Sequence, residues 1–582
     1  MNSWKLVYEG FDPQREGLRE ALCTLGNGYF ATRGAAPEAR AGEVHYPGTY
    51  LAGGYNRLKT VIAGRIIENE DLVNMPNWLV IRFRIEDGDR LDPLSVDIVS
   101  CRQELDLKRG VLTRRVRFRD KGGRETTLIQ NRFVHMDQMH LAGLETTIVP
   151  ENWSGRLRVH SALDGTVVNE GVKRYRQLNS RHLSPVSSEA IDEETVCLLV
   201  ETSQSRLRVA EAARTRVYSG ESRVEARREL VEHPGYIGQE FRVEVAEKQA
   251  VRVEKIVSLF TSRDFGICEP ALDAVEAVRQ ASGFEEILQS HVLQWDHLWH
   301  RCDIRIEDSD RTQMILRLHI FHLLQTVSRN SIDTDVGVPA RGLHGEAYRG
   351  HIFWDELFIF PYLNLRIPNL TRALLLYRYR RLGQARIAAR AEGFRGALYP
   401  WQSGSNGREE TQHLHLNPKS GRWLPDHTHL QRHVNAAIAY NVWQYYKATG
   451  DREFLSTWGA EMILEIARFL AALATYNAAL DRFEILGVMG PDEYHDAYPD
   501  SETPGLNNNA YTNVMTVYVL RTALKAIDTL APGRRMDLLE TLSLGREELS
   551  RWKEIVAGMR VVFHEDGIIS QFEGYEQLLE FD

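Results

Sequence analysis

Two neighbouring carboxylates, Asp492 and Glu493, follow a Gly-Pro turn, with Tyr494 and His495 beside them and the amide run Asn507-Asn508-Asn509 shortly after. The surrounding segment, residues 487–513 (GVMGPDEYHDAYPDSETPGLNNNAYTN), has no apolar periodicity, yet it separates two long helical stretches. A polar and aromatic loop held between rigid elements is where ligands are bound and transformed. Adjacent carboxylates point in different directions, so this pair cannot face itself across one reaction centre. One member does chemistry while the other holds the turn. Cleavage of a glycosidic bond needs a proton donor for the leaving oxygen, which at neutral pH means a carboxyl of raised pKa. Glu493, on the longer arm and beside Tyr494, is the candidate acid. A capped turn ahead of a helix is the competing reading.

Three further groupings could serve the same chemistry. In GEAYRGHIFWDELFIFPYL (residues 345–363), Trp354-Asp355-Glu356 opens a helix behind the lead-in Tyr348, Arg349 and His351. An indole covers the apolar face of a sugar ring while a carboxylate accepts from its hydroxyls; core packing and a favourable helix start are the alternative. In YPWQSGSNGREE (residues 399–410), Trp401 could form an opposite wall, with Glu409 or Glu410 binding hydroxyls, or the loop is simply solvated. The histidines His413, His415, His427, His429 and His433 include an i, i+4 pair at His429 and His433. No cysteine or carboxylate accompanies them at a known metal spacing, so hydrogen bonding and packing are favoured over a metal site. Arg349, His495 and Asn513 complete the candidate substrate ligands alongside Trp354, Asp355, Trp401 and Glu410.

The elements that must position these groups change character along the chain. Up to about residue 265 the period is two, as in VRVEKIVSLF (residues 251–260), with frequent Gly and Asn punctuation, which predicts a large antiparallel sandwich over residues 1–266. Residues 267–306 read as a helical linker. From residue 307 to 582 the pattern is helical, with helices expected at 314–327, 371–391, 433–449, 452–476, 510–530 and 538–559, joined by long aromatic and His-rich loops. At 582 residues the chain is too long for one core. Its 26% charged residues and net charge of −9 provide no basic stripe for nucleic acid. Five scattered cysteines, none in CxxC spacing, predict free thiols in a reducing cytosol. No signal peptide or spanning run is visible, so a cytoplasmic chain without membrane partners is expected. No phosphate-cradling P-loop or dinucleotide fingerprint occurs.

With these residues in view, the chain resembles glycoside hydrolase family 65, which contains maltose, trehalose and kojibiose phosphorylases and some trehalose hydrolases. LGNGYFATRG (25–34), YPGTYLAGGYN (46–56) and NMPNWL (74–79) resemble its sandwich domain. GEAYRGHIFWDELF resembles its sugar-binding motif, with Glu356 and Leu357 where many members have Thr and Glu, and GPDEYH followed by NNNAYTN resembles its catalytic-acid loop. The likeness runs from about residue 8 to residue 515. It implies a β-sandwich, a helical linker and an (α/α)6 barrel, with Glu493 as general acid and Trp354 and Asp355 on the glucosyl ring. Trp401 and Glu410 would line the same pocket. It implies phosphorolysis of an α-glucosidic disaccharide to β-glucose 1-phosphate with inversion, inorganic phosphate as co-substrate, no cofactor, no metal, and a homodimer. Hydrolysis of a similar α-glucoside such as trehalose, or a silent sugar-binding remnant, are the alternatives. The family's Lys-Gln-Ala-Asp motif and serine-rich loop are expected downstream of the acid loop. Neither precedes Asp582, and about seven helices stand against the twelve of a full barrel. The expectation is therefore an incomplete barrel in a chain cut short, with little phosphorolytic activity of its own.

Overall fold

Strand Val251–Thr261 alternates apolar and polar residues, yet Glu254, Lys255 and Ser258 are as buried as Val253 and Ile256. In a computed structural model, which describes residues 2–62, 64–86, 88, 90–417, 419–492 and 494–579, the reason is that this strand is covered on both faces. Toward one face, Lys255 donates to the carbonyls of Val80 and Ala162 (3.2 and 2.7 Å), joining it to a second sheet. On the other face lie helices, described below.

The large sheet is antiparallel throughout. Its order is Lys5–Glu9, Asp97–Asp106, Val111–Arg119, Glu125–Val134, Leu141–Pro150, Val251–Thr261, Arg208–Ser219, Thr195–Thr202 and Leu183–Ala190, with Ser222–Arg223 paired to Arg208–Ser219. The facing sheet runs Arg228–His233, Tyr236–Val245, Gly155–Asp164 and Ile81–Ile85. A Ser161 to Thr215 hydroxyl contact at 2.8 Å also crosses between them. A third sheet, Leu25–Gly26, Phe30–Thr32, Thr49–Ile62 and Arg65–Met75, carries the motifs of the amino-terminal half.

After the short α1 (Glu16–Leu22), the next two helices are α2 (Pro270–Gln280) and α3 (Phe284–Cys302). They pack on the outer face of the large sheet. Ala274, Val275 and Val278 meet Cys197, Leu199, Ala210 and Ala212; Phe284, Ile287 and Leu288 meet Val111, Phe133 and Ile256. These helices, and α4 (Asp310–Thr326), belong to the same compact unit as the sandwich, residues 1–334 with 341–350. The stretch read as a linker is thus a layer of the first unit, because its apolar faces have a sheet to cover.

The second unit comprises residues 335–340 and 351–582. Its helices are α5 (Glu356–Arg366), α6 (Pro368–Arg380), α7 (Leu382–Ala391), α8 (His433–Thr449), α9 (Arg452–Phe454), α10 (Ala460–Leu473), α11 (Ala510–Thr529), α12 (Pro532–Thr541) and α13 (Arg546–Gly558). Helix α8 is the hub, with α5, α6, α10 and α11 packed on it and α13 on α11. It stops at Gly450, whose φ of 69° provides a left-handed cap that glycine adopts without strain. Helices expected as single rods are broken. Arg381 interrupts 371–391, its guanidinium reaching the Tyr377 carbonyl and Asp335. A π-turn, Leu455–Gly459, interrupts 452–476. Among the described residues, no helix is long and apolar enough to cross a membrane.

Candidate active site

The site begins where α5 starts. Trp354 and Asp355 stand just ahead of it, with the N–H groups of Leu357 and Phe358 donating to their carbonyls (2.8 and 3.0 Å). The indole of Trp354 forms one wall of a ring cluster around His433, the first residue of α8, at 4.8 Å between centroids. Trp401 lies 5.2 Å from His433, and Tyr511, in the first turn of α11, lies 5.7 Å from it. Trp354 is also 6.3 Å from Trp401 and 6.0 Å from Tyr511. Four elements thus contribute one ring each. Trp354 and Tyr511 remain partly exposed, whereas Trp401 and His433 are buried behind them.

Backbone pairing fixes the register of these elements. Ile352 and Ser403 exchange both hydrogen bonds (2.9 and 3.0 Å), locking the segment before Trp354 to the loop after Trp401. The Tyr399 N–H donates to Asn435 of α8 at 2.7 Å. The Met489 N–H donates to the Leu430 carbonyl at 3.0 Å, and Val488 and Leu506 pair across the neck of the acid loop. Met489 therefore sits beside His433, only a few residues before Glu493.

Burial pushes His433 down to about 4, the Met489 carbonyl pulling weakly the other way. The ring is neutral at physiological pH, and among the described residues neither of its nitrogens has a hydrogen-bond partner. A neutral imidazole among aromatic faces can donate to or accept from a sugar hydroxyl. His429 lies in a separate turn, Thr428–Leu430, so it does not share a helical face with His433. Among the described residues no three His, Cys, Asp or Glu side chains gather where they could hold a metal ion.

Two acidic loops join this cluster, one through Trp401 and one through Met489. Glu409 accepts from the N–H groups of Trp401 (2.7 Å), Gln402 (3.1 Å) and Thr411 (3.1 Å) and from the Thr411 hydroxyl (2.8 Å). It keeps a solvent-exposed surface, while Glu410 is buried. The protein packed around Glu409 raises its carboxyl above the ordinary range, and those four donors offset only part of that. Asp492 accepts from the Tyr494 N–H (2.9 Å), His495 Nδ1 (2.7 Å) and Gln571 Nε2 (2.9 Å). Partial burial works against its charge, but the Tyr494 N–H, His495 and Gln571 together hold it below its ordinary value. His495 is further braced by the rings of Phe572 and Tyr575 (5.4 and 5.9 Å). Glu493 itself lies outside the described residues. Tyr494 is 95% exposed, and its backbone N–H donates to Asp492.

The amide run builds the floor of the loop. Asn509 caps α11, accepting from the Thr512 N–H at 3.0 Å. Asn508 donates to Glu484 (3.1 Å) and Glu573 (2.9 Å), and Arg560 pairs with both carboxylates. Gly490 lies so close to Asn509 that an added Cβ would stand 2.2 Å from its amide nitrogen.

Two expected ligands are placed elsewhere. Asn513 is fully buried and donates to Asn508 and to the Arg560 carbonyl, so its amide nitrogen holds the loop. Arg349 is 2% exposed in the first unit, ion-paired with Asp71 and 4.3 Å over the Tyr175 ring. Glu356 is likewise turned inward, paired with the buried Arg378 at 3.0 Å. Tyr511 and Gln571 were not singled out. Tyr511 had one signal, its place two residues after an Asn cap; Gln571 had none, being 79 residues from Asp492.

This arrangement can be set against known proteins. Residues 6–298 match the glycosyl hydrolase family 65 N-terminal domain, and residues 317–582 match that family's central catalytic domain. The chain is 34% identical to a kojibiose phosphorylase of Caldanaerobacter subterraneus, over 98% of the chain and 73% of the relative. It is 32% identical to a trehalose 6-phosphate phosphorylase of Lactococcus lactis, over 98% and 71%. An uncharacterized glycosyl hydrolase of Mycobacterium tuberculosis is 48% identical over 100% of the chain, which spans 44% of that protein. The chain thus spans less than half of the mycobacterial relative and about 71 to 73% of the two phosphorylases. A solved structure, a putative kojibiose phosphorylase from the human microbiome, has the same fold, with a TM-score of 0.83 at 22% identity over 99% of this chain and 72% of that one. With its antiparallel sandwich, its helical unit and an aromatic site at the start of α5, α8 and α11, the chain belongs to glycosyl hydrolase family 65.

Proposed function

We propose that the protein cleaves an α-glucosidic disaccharide by inverting phosphorolysis, giving β-glucose 1-phosphate and a free sugar. The observation that carries this reading is the ring cluster of Trp354, Trp401, His433 and Tyr511 held beside the Asp492 loop by the Met489 to Leu430 and Val488 to Leu506 pairings. In this reading the glucosyl ring lies on the exposed face of Trp354, with Asp355 accepting from its hydroxyls. Glu493 protonates the leaving oxygen as the C1–O bond breaks. A phosphate oxygen forms the new bond to C1 from the opposite face, so one carboxyl suffices. Asp492 and His495 hold the acid's neighbours in place and do not exchange protons with substrate. The phosphorylases among the relatives, acting on kojibiose and on trehalose 6-phosphate, support phosphate as the nucleophile.

Product analysis with kojibiose, trehalose and maltose, with and without inorganic phosphate, tests the reading. Sugar 1-phosphate of β configuration formed only with phosphate is expected. Glucose released at the same rate without phosphate would assign a hydrolase. Glu493→Gln should lower turnover about 100- to 10,000-fold while leaving sugar binding in place; an active variant would remove Glu493 from its role.

A further inference from the structure

The sandwich unit holds a second concave site. It is an open cavity of about 470 Å³ beside the sheet formed by Gly155–Asp164 and Tyr236–Val245, within the roughly 300–1,000 Å³ range of small-molecule sites. Its floor is a stack of rings. His233 lies over Tyr236 at 4.4 Å and 14°, and Tyr236 is parallel to His160 at 6.0 Å and 7°. The Tyr236 hydroxyl meets His160 Nε2 at 2.6 Å. His160 is 3% exposed, and its other nitrogen, Nδ1, has no hydrogen-bond partner among the described residues. Burial, reinforced by Arg90 and Arg82, pushes the ring down to about 4, so it is neutral. A buried polar atom left unmatched at a cavity wall marks a place for a bound water or ligand.

Three guanidinium groups line the same cavity against two carboxylates, Asp164 and Glu170, so positive charge is in excess. Arg82 makes one long hydrogen bond, 3.5 Å to the Ala39 carbonyl, and its buried Nε has no partner among the described residues. Burial lowers it, with Arg40 and Arg90 adding to that against Tyr236 and Asp164. Arg90 reaches Glu240 only at 3.7 Å, and that carboxylate also serves Arg84 at 3.2 Å and Arg158 at 3.5 Å. Arg40 is exposed and has no ion pair among the described residues. Converging, under-neutralised guanidinium groups recognise the planar oxygens of a phosphate. A ring stack beside them suits the apolar face of a sugar.

The geometry points to a binding site for a phosphorylated monosaccharide, its phosphate on Arg40, Arg82 and Arg90 and its ring over His233 and Tyr236. The site is separate from the Trp354 cluster and does not depend on the phosphorolysis reading. Calorimetric titration of the full chain with glucose 6-phosphate, glucose and inorganic phosphate tests it. Saturable binding of glucose 6-phosphate is expected to survive Trp354→Ala and to weaken roughly ten- to a hundredfold in Arg40→Glu and in Arg82→Gln. Arg40 is a surface position, so its variant keeps the fold even if Arg82→Gln does not. Glucose and phosphate alone should each bind more weakly than the sugar phosphate. Absence of binding, its loss in Trp354→Ala, or indifference to Arg40→Glu would overturn the assignment. So would phosphate alone binding as tightly as glucose 6-phosphate.

Discussion

Two loops of the helical unit each carry adjacent acidic residues, Glu409-Glu410 and Asp492-Glu493, and in each the first member grips its own loop. Glu409 closes a turn by accepting from three backbone N–H groups and a hydroxyl, all within residues 401–411. Asp492 takes one backbone N–H and then reaches outward, to His495 and to Gln571 near the far end of the chain. The hold of Glu409 is therefore local, while that of Asp492 extends to a residue distant in sequence, Gln571. Their charges respond oppositely to these surroundings: packing raises the Glu409 carboxyl, and hydrogen bonding lowers that of Asp492. The same residue pattern makes a rigid wall in one place and an externally positioned arm in the other.

Breaking the arm should have the largest effect. Asp492→Ala frees the residue next to Glu493 from both His495 and Gln571, and a displacement of about 1 Å at a reacting group costs on the order of 100-fold. The expected result is a loss of that size in kcat/KM with only a small fall in melting temperature. An equal fall in melting temperature would instead make Asp492 a folding residue. The wall should behave in the reverse way. Glu409→Ala leaves the Trp401, Gln402 and Thr411 N–H groups without their acceptor, for a loss of about 1–3 kcal/mol seen in denaturant unfolding.

Acid sharpens the contrast by its sign. The stabilisation from Asp492 is present above the ordinary carboxylate pKa of about 3.9 and is lost as pH falls through its depressed value. The stabilisation from Glu409 is complete below about 4.3 and is lost as pH rises through its raised value. Between neutral pH and about pH 3, the melting-temperature gap from wild type should therefore shrink for Asp492→Asn and widen for Glu409→Gln. Gaps that move in the same direction would remove the distinction. The smallest effect belongs to Tyr494, which is 95% exposed: Tyr494→Ala should change stability by less than about 0.5 kcal/mol, by thermal unfolding.

What the sequence disclosed follows from how local each feature is. Helix α8 appeared at its observed bounds, His433–Thr449, because its apolar spacing and the glycine after it are both local signals. The start of α11 was equally plain from the Asn run. The break at Arg381 was hidden, since what bends the chain there is a guanidinium bound to Asp335, 46 residues away. Arg349 and Asn513 had the right chemistry for a sugar, but burial against Asp71 and Asn508 gave them other work. The alternation in Val251–Thr261 could not announce that helices would cover its polar side. The ring cluster is legible as four aromatic or His-bearing segments; that they meet around His433 is a property of the packing alone.

The closed neck of the Asp492 loop bears on how this protein can diversify. Val488 pairs with Leu506, and the Gly505 N–H returns to the Asp496 carbonyl at 2.6 Å, so the chain leaves and re-enters through nearly one point. Within the excursion between, residues 497–504, Tyr498 is tied back: its hydroxyl reaches the Glu573 carbonyl and accepts from the Asn507 N–H, and its ring meets Phe572, while the stretch after it, residues 499–504, lies outside these supports. Loop length adds little closure cost once the ends are pinned. Residues can thus be inserted or exchanged there without disturbing Asp492 or the cap of α11, while Gly490 and the neck tolerate no added bulk. New contacts would be recruited by extending this excursion, with the anchoring of Asp492 left untouched.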